Sequence, residues 1–242
     1  METFRFPWNI DNSPGRAAMT AHPTTIDSSP AEQPLRDQVC AAALEYFGRA
    51  GFDQSMAQLT TATGVADSTL RDLFGSPEGL REACDDYLME TVRRAKTAAV
   101  TSHDPSSWSA QLANIESYAP LLSYLVRSLE GGDQAGRNLL QHMTDNAQEY
   151  LEAGVAAGTL RPTADPRGRA RLLAMFGGGA FLLYRKLHPD PTDMAAVVRD
   201  YARDLLMPTL ELYTYGLMAD DAMYRALTDA RKEGADHADT RS

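Results

Sequence analysis

The chain is predicted to be all-α, and three observations carry that prediction. Apolar residues recur at helical spacing in one segment after another, beginning with Leu35, Val39, Ala42, Ala43, Tyr46 and Phe47. No stretch shows the apolar–polar alternation of a half-buried strand. The segments are also punctuated as helices are. Gly51, Gly64, Gly131-Gly132 and the stretch from Gly158 to Pro162 interrupt them, while Ser76-Pro77-Glu78, Asp165-Pro166 and Asp193 read as N-caps, first-turn prolines and first-turn acids.

Taken in order, residues 1–31 are rich in Pro, Ser, Thr, Asn and Asp without sustained periodicity, which predicts a disordered extension. Its Arg5 and Arg16 could serve as a minor-groove arm, against the plainer reading of a solvated tail. An amphipathic helix follows from Leu35 and ends in a sharp turn at Gly51. Two short helical segments, SMAQLTTAT and ADSTLRDLF, flank Gly64-Val65, where glycine permits a tight turn and valine packs into the angle between helices. Residues 32–75 thus read as a helix-turn-helix, an arrangement that lets its second helix enter a DNA major groove.

The segment resembles the DNA-binding domain of TetR-family transcriptional regulators. Phe47, Gly51, Phe52, Ser55, Leu59, Gly64, Val65, Thr69, Leu70, Phe74, Ser76, Glu78 and Leu80 carry the resemblance in order and spacing. Ala66, Arg71, Pro77 and Ala57 depart from it, standing where the family usually has Ser, Tyr, Lys and a basic residue. The resemblance implies contacts to double-stranded DNA from Arg36, Ser55, Gln58, Ala66, Asp67, Ser68, Thr69, Arg71 and Asp72. Between Glu32 and Arg81 stand four basic residues (Arg36, Arg49, Arg71, Arg81) and seven acidic ones, an unusual balance for a surface that must neutralise phosphates.

From Ser76 onward every segment is predicted helical. A long helix carries Leu80, Cys84, Tyr87, Leu88 and Val92, and in TetR-like proteins it links the DNA-binding and ligand domains. Further helices are expected near 106–115, 118–129, 134–156, 165–187, 192–218 and 219–233, with a kink at Pro208 and a frayed tail over 234–242. Residues 76–233 then form a ligand-binding and dimerisation domain. The segment from Glu152 to Leu173 also resembles TetR-like C-terminal domains. The helix over 165–187 is apolar on nearly all sides and must be buried on all sides, one face in its own domain and another against a second subunit. Leu173, Phe181, Tyr201, Leu205 and Tyr213 are the expected homodimer contacts, and Gly177-Gly178-Gly179 would permit close approach or room for a ligand.

An effector pocket is expected among Trp108, Tyr118, Leu122, Tyr124, His142, Met143, Met175, Phe176 and Tyr184, whose apolar bodies and few polar tips suit a hydrophobic or aromatic small molecule. No cofactor or metal is expected. The five histidines lack metal-ligand spacing, and no GxSxG, phosphate-binding loop or HExxH motif nominates an enzyme. Cys40 and Cys84 read as buried reduced thiols, with a redox pair as the lesser reading. The longest uncharged apolar run, Leu172 to Tyr184, is too short to span a bilayer, which predicts a cytoplasmic protein with no membrane partner. The net charge of −10 argues against nonspecific attraction to polyanions. The expected function is a ligand-responsive regulator, a repressor released from a palindromic operator by its effector; the alternative is a TetR-like ligand- or protein-binding module with weakened DNA binding.

Overall fold

The computed structural model describes residues 33–239, apart from 105, 107, 108, 110, 111 and 133. The expected terminal extension and Trp108 therefore lie outside the described residues. Within them the chain forms nine α-helices and one 3-10 turn, and no strand. These are α1 (Gln33–Ala50), α2 (Met56–Thr63), α3 (Asp67–Phe74), α4 (Pro77–Thr101), the 3-10 turn Ile115–Tyr118, α5 (Ala119–Glu130), α6 (Gln134–Ala156), α7 (Pro166–Leu187), α8 (Met194–Tyr215) and α9 (Ala222–Asp239).

The punctuation seen in the sequence acts as chemistry. Ser76 Oγ accepts from the Gly79 amide (3.2 Å) with Pro77 at the first helical position, Asp165 Oδ1 accepts from Gly168 (2.8 Å), and Asp193 Oδ1 accepts from Ala196 (3.0 Å). Each side chain satisfies an amide that the helix leaves without a partner. Helix α8 carries Pro208 in its interior.

A single core joins the first four helices to the rest. Val39, Cys40, Ala43, Leu44 and Phe47 of α1 pack with Leu59, Leu70, Phe74, Leu80, Cys84 and Leu88, and the same cluster continues into Tyr124 and Leu125 of α5 and Leu139 of α6. Helix α1 crosses α5 so closely that a β-carbon at Gly48 would lie 3.1 Å from both the Ser123 side chain and the Tyr124 amide nitrogen. Arg127 of α5 caps the end of α1, its Nε donating to the Gly48 carbonyl and its Nη2 to that of Arg49.

The C-terminal body has two smaller cores. Val126, Phe181, Val197 and Val198 close one between α5, α7 and α8. Ala147 and Leu151 of α6 meet Ala170 and Ala174 of α7 in the other, where small side chains bring the helices close. Helices α4 and α6 lie side by side in parallel register. Asn146 donates to the Met89 carbonyl (2.8 Å), Arg93 reaches Glu149 (3.9 Å), and a β-carbon at Gly154 would lie 3.2 Å from Val100 Cγ2.

Candidate nucleic-acid interface and effector region

The helix-turn-helix is built by local chemistry. Ser55 is extended and caps α2, and Gln58 Oε1 accepts the Ser55 amide in return (2.8 Å), a reciprocal capping box. Gly64 ends α2 in the left-handed region (φ 70°), its amide donating to the Thr60 carbonyl. Val65 packs against the core, and Leu70 and Phe74 anchor α3 beneath it. With those two side chains held inward, Ala66, Asp67, Ser68, Arg71 and Asp72 are exposed and Thr69 is half-buried. Ser55 and Gln58 are exposed beside them at the start of α2. Of the expected contact residues of α2 and α3, all are thus exposed but Thr69, which is half-buried.

The cations on and near this surface are engaged within the chain. Arg71 is held by Asp67 one turn before it, with Nε–Oδ2 at 2.7 Å and Nη2–Oδ1 at 3.2 Å, and this pair raises the Arg71 pKa. Arg36, one of the expected DNA contacts, ties α1 to the end of α3. It donates to the Leu73 carbonyl, and its guanidinium lies 4.6 Å from the centre of the Phe74 ring. Arg49 pairs with Glu45 (3.6 Å). The sequence could not show the Arg36 contact because its partners lie 37 residues away along the chain.

Tyr124 and its neighbours form the joint between this unit and the body. The Tyr124 ring meets Phe52 edge-on (centroids 5.2 Å) and Phe47 at 6.3 Å, and its hydroxyl donates to Asp85 Oδ1 (2.7 Å). Burial raises the Asp85 carboxyl, a shift opposed by the Tyr124 hydrogen bond and Arg81, and burial likewise raises the Tyr124 phenol. The Arg81 guanidinium stacks over Phe52 at 3.8 Å. Tyr124, expected at the pocket, is fully buried in this joint because its ring fills the angle between α1, α4 and α5.

The other expected pocket residues separate. Leu122 and Met143 are half-buried against the main core and Tyr118 is half-buried at the end of the 3-10 turn. His142 is exposed and borders an open cleft between α4 and α6, lined by Asp86, Met89, Glu90, Asp145 and Asn146. Tyr184 donates to Asp204 Oδ2 (2.6 Å), which raises its phenol to about 12. Met175 and Phe176 point outward: Phe176 is 54% exposed, on a face of α7 shared with Leu172, Leu183 (64%) and Leu187 (85%). The residues assigned to a subunit interface divide too. Phe181 and Tyr201 stack on each other inside the subunit (5.2 Å), Leu173 packs against the α6–α7 core and Leu205 is half-buried, while Tyr213 is exposed. Because α7 is apolar all round, its sequence carries no phase to say which side faces in. Cys40 and Cys84 are both buried and unoxidised at the α1–α4 contact. Among the described residues no group of His, Cys, Asp and Glu is arranged to hold a metal ion, and no helix is long and apolar enough to cross a membrane.

The architecture can be set beside known proteins. Residues 116–219 match the family model described as Tetracyclin repressor-like, C-terminal domain. The HTH-type transcriptional regulatory protein RaaS of Mycobacterium tuberculosis (strain ATCC 25618 / H37Rv) is 52% identical over 196 residues, covering 81% of this chain and 92% of that protein. The chain belongs to the TetR family of transcriptional regulators. A fatty acid metabolism regulator of Clostridium perfringens shares the fold at 14% identity, with a TM-score of 0.50 over 76% of this chain and 100% of that one. A TetR transcriptional regulator from Chloroflexus aurantiacus J-10-FL is 22% identical, with a TM-score of 0.44 over 73% of this chain and 98% of that one.

Proposed function

We propose that this TetR-family regulator acts as a homodimeric, cytoplasmic repressor that binds a palindromic operator and leaves it when a hydrophobic or aromatic small molecule binds. Residues 32–75 would read DNA through Ser55, Gln58, Ala66, Asp67, Ser68, Thr69, Arg71 and Asp72, and residues 76–233 would bind effector and partner. The observation that carries the reading is the continuous core from α1–α4 into α5 and α6, because a repacking of the body against that core would shift the helices that hold α3.

Dimerisation is supported by the outward apolar face of α7 (Leu172, Phe176, Leu183, Leu187) and by the exposed apolar residues Met207, Leu212, Tyr213 and Tyr215 of α8. Exposed apolar surface of that extent marks an interaction site. A second copy would also supply the second α3 that a palindrome needs, one helical turn away along the groove. Release follows if effector binds the form whose two α3 helices are misplaced more tightly than the DNA-bound form.

The test is a gel-shift titration against the gene's own upstream fragment at low and at physiological salt, with Arg71→Ala alongside. Saturable, competitor-resistant binding that Arg71→Ala weakens across all sequences is the expected result. No binding to that fragment or to a random-site library, at either salt, refutes the operator reading.

A further inference from the structure

The identity of a base met by α3 deepens the proposed operator reading and rests on it. Leu70 and Phe74 are the two buried residues of α3, and they fix its rotation against the core. Asp72 stands two residues from each, about 200° round the helix from both. It is therefore the side chain of α3 aimed most directly away from the core. Ser68 lies one turn earlier on the same side of the helix and carries only a short hydroxyl.

The two carboxylates of α3 stand in different states. Asp67 has both oxygens engaged by Arg71, Oδ2 by Nε at 2.7 Å and Oδ1 by Nη2 at 3.2 Å. Asp72 is exposed, and among the described residues it makes no hydrogen bond or ion pair. The neighbouring cations are committed elsewhere, Arg71 to Asp67 and Arg36 to the Leu73 carbonyl. The outermost side chain of α3 is thus a carboxylate with its whole acceptor capacity unused.

An ionised carboxylate accepts hydrogen bonds and donates none. Phosphates repel it, so on DNA it costs affinity unless it lies over a base edge that supplies a donor. In the major groove only cytosine and adenine offer one, while guanine and thymine meet it with acceptors. Adenine also sets its N7 acceptor beside its amino group, which opposes a carboxylate, whereas cytosine presents the N4 amino group alone. We propose that Asp72 selects cytosine at one fixed position of each operator half-site by accepting from its N4 amino group. The acid then serves sequence choice at the expense of overall affinity for the backbone.

The test is selection from a random-site duplex library by the full chain, by Asp72→Asn and by Asp72→Ala, each checked by thermal melting. Wild type is expected to enrich a palindrome with cytosine at one position of each half-site. Asp72→Asn should exchange that cytosine for adenine, whose N6 and N7 suit an amide, and Asp72→Ala should lose the preference there, with the rest of the palindrome unchanged in both. A gel shift then replaces the cytosine by pyrimidin-2-one, which lacks only the 4-amino group. Wild type should lose about tenfold more affinity than Asp72→Ala, the size of one charge-assisted hydrogen bond, since any loss from weaker base pairing falls on both. The same base preferences in all three proteins, or an equal loss in wild type and Asp72→Ala, overturns the proposal and leaves the operator reading standing. No sequence enriched by wild type overturns both.

Discussion

Tyr124→Phe tests the joint between the DNA-reading unit and the body, because it removes one oxygen and leaves the ring against Phe47 and Phe52. The lost hydroxyl donates at 2.7 Å to Asp85, a carboxylate that burial already disfavours. A hydrogen bond to a charged acceptor contributes about 1.5–3 kcal/mol, and the carboxylate left behind has little water to replace it. Taking about 2 kcal/mol, and about 2–4 °C per kcal/mol for a chain of this size, the melting temperature should fall by about 4–8 °C. Differential scanning calorimetry at fixed protein concentration measures this, and a cycle with Asp85→Asn apportions it. In the Asn background the same substitution should cost only the value of a neutral hydrogen bond, about 0.5–1.5 kcal/mol. A Tyr124→Phe loss under about 0.5 kcal/mol, or an equal loss in both backgrounds, would refute the reasoning.

Three further outcomes are expected. The raised Asp85 carboxyl binds its proton more tightly in the folded chain than in the unfolded one, so folding is disfavoured as pH rises through the folded value and this cost is absent below the ordinary aspartate range. Wild type should therefore gain stability relative to Asp85→Asn on acidification through that window, and parallel melting curves at every pH would contradict the sign. Asp67→Asn releases Arg71 and removes a negative charge beside the phosphates, so operator affinity should rise about three- to tenfold with a steeper salt dependence; weaker binding by gel shift would mean that Asp67 itself reads a base. Leu183→Glu, on the exposed side of α7, should give a monomer by sedimentation velocity at concentrations where wild type is dimeric, whereas a dimer of unchanged stability would place the interface elsewhere.

Much of the fold was legible because it rests on short-range chemistry. The caps at Ser76, Asp165 and Asp193 and the turn at Gly64 each join residues within four positions of one another. The outward face of α3 was equally legible, since Leu70 and Phe74 mark its inner side and the remaining residues must face solvent.

The sequence by itself determined an all-helical chain, the order of its elements and the helix-turn-helix, because amphipathic period and capping are properties of neighbouring residues. Tertiary structure alone decided the rest. It turned Phe181 inward and Phe176 outward on a helix with no polar side to set its phase. It set Arg36 against the Leu73 carbonyl and the Phe74 ring. It also set α4 beside α6 so that Asn146 meets the Met89 carbonyl and Arg93 meets Glu149. Each depends on which distant surface a side chain meets, and helical spacing holds no information about distance across the fold.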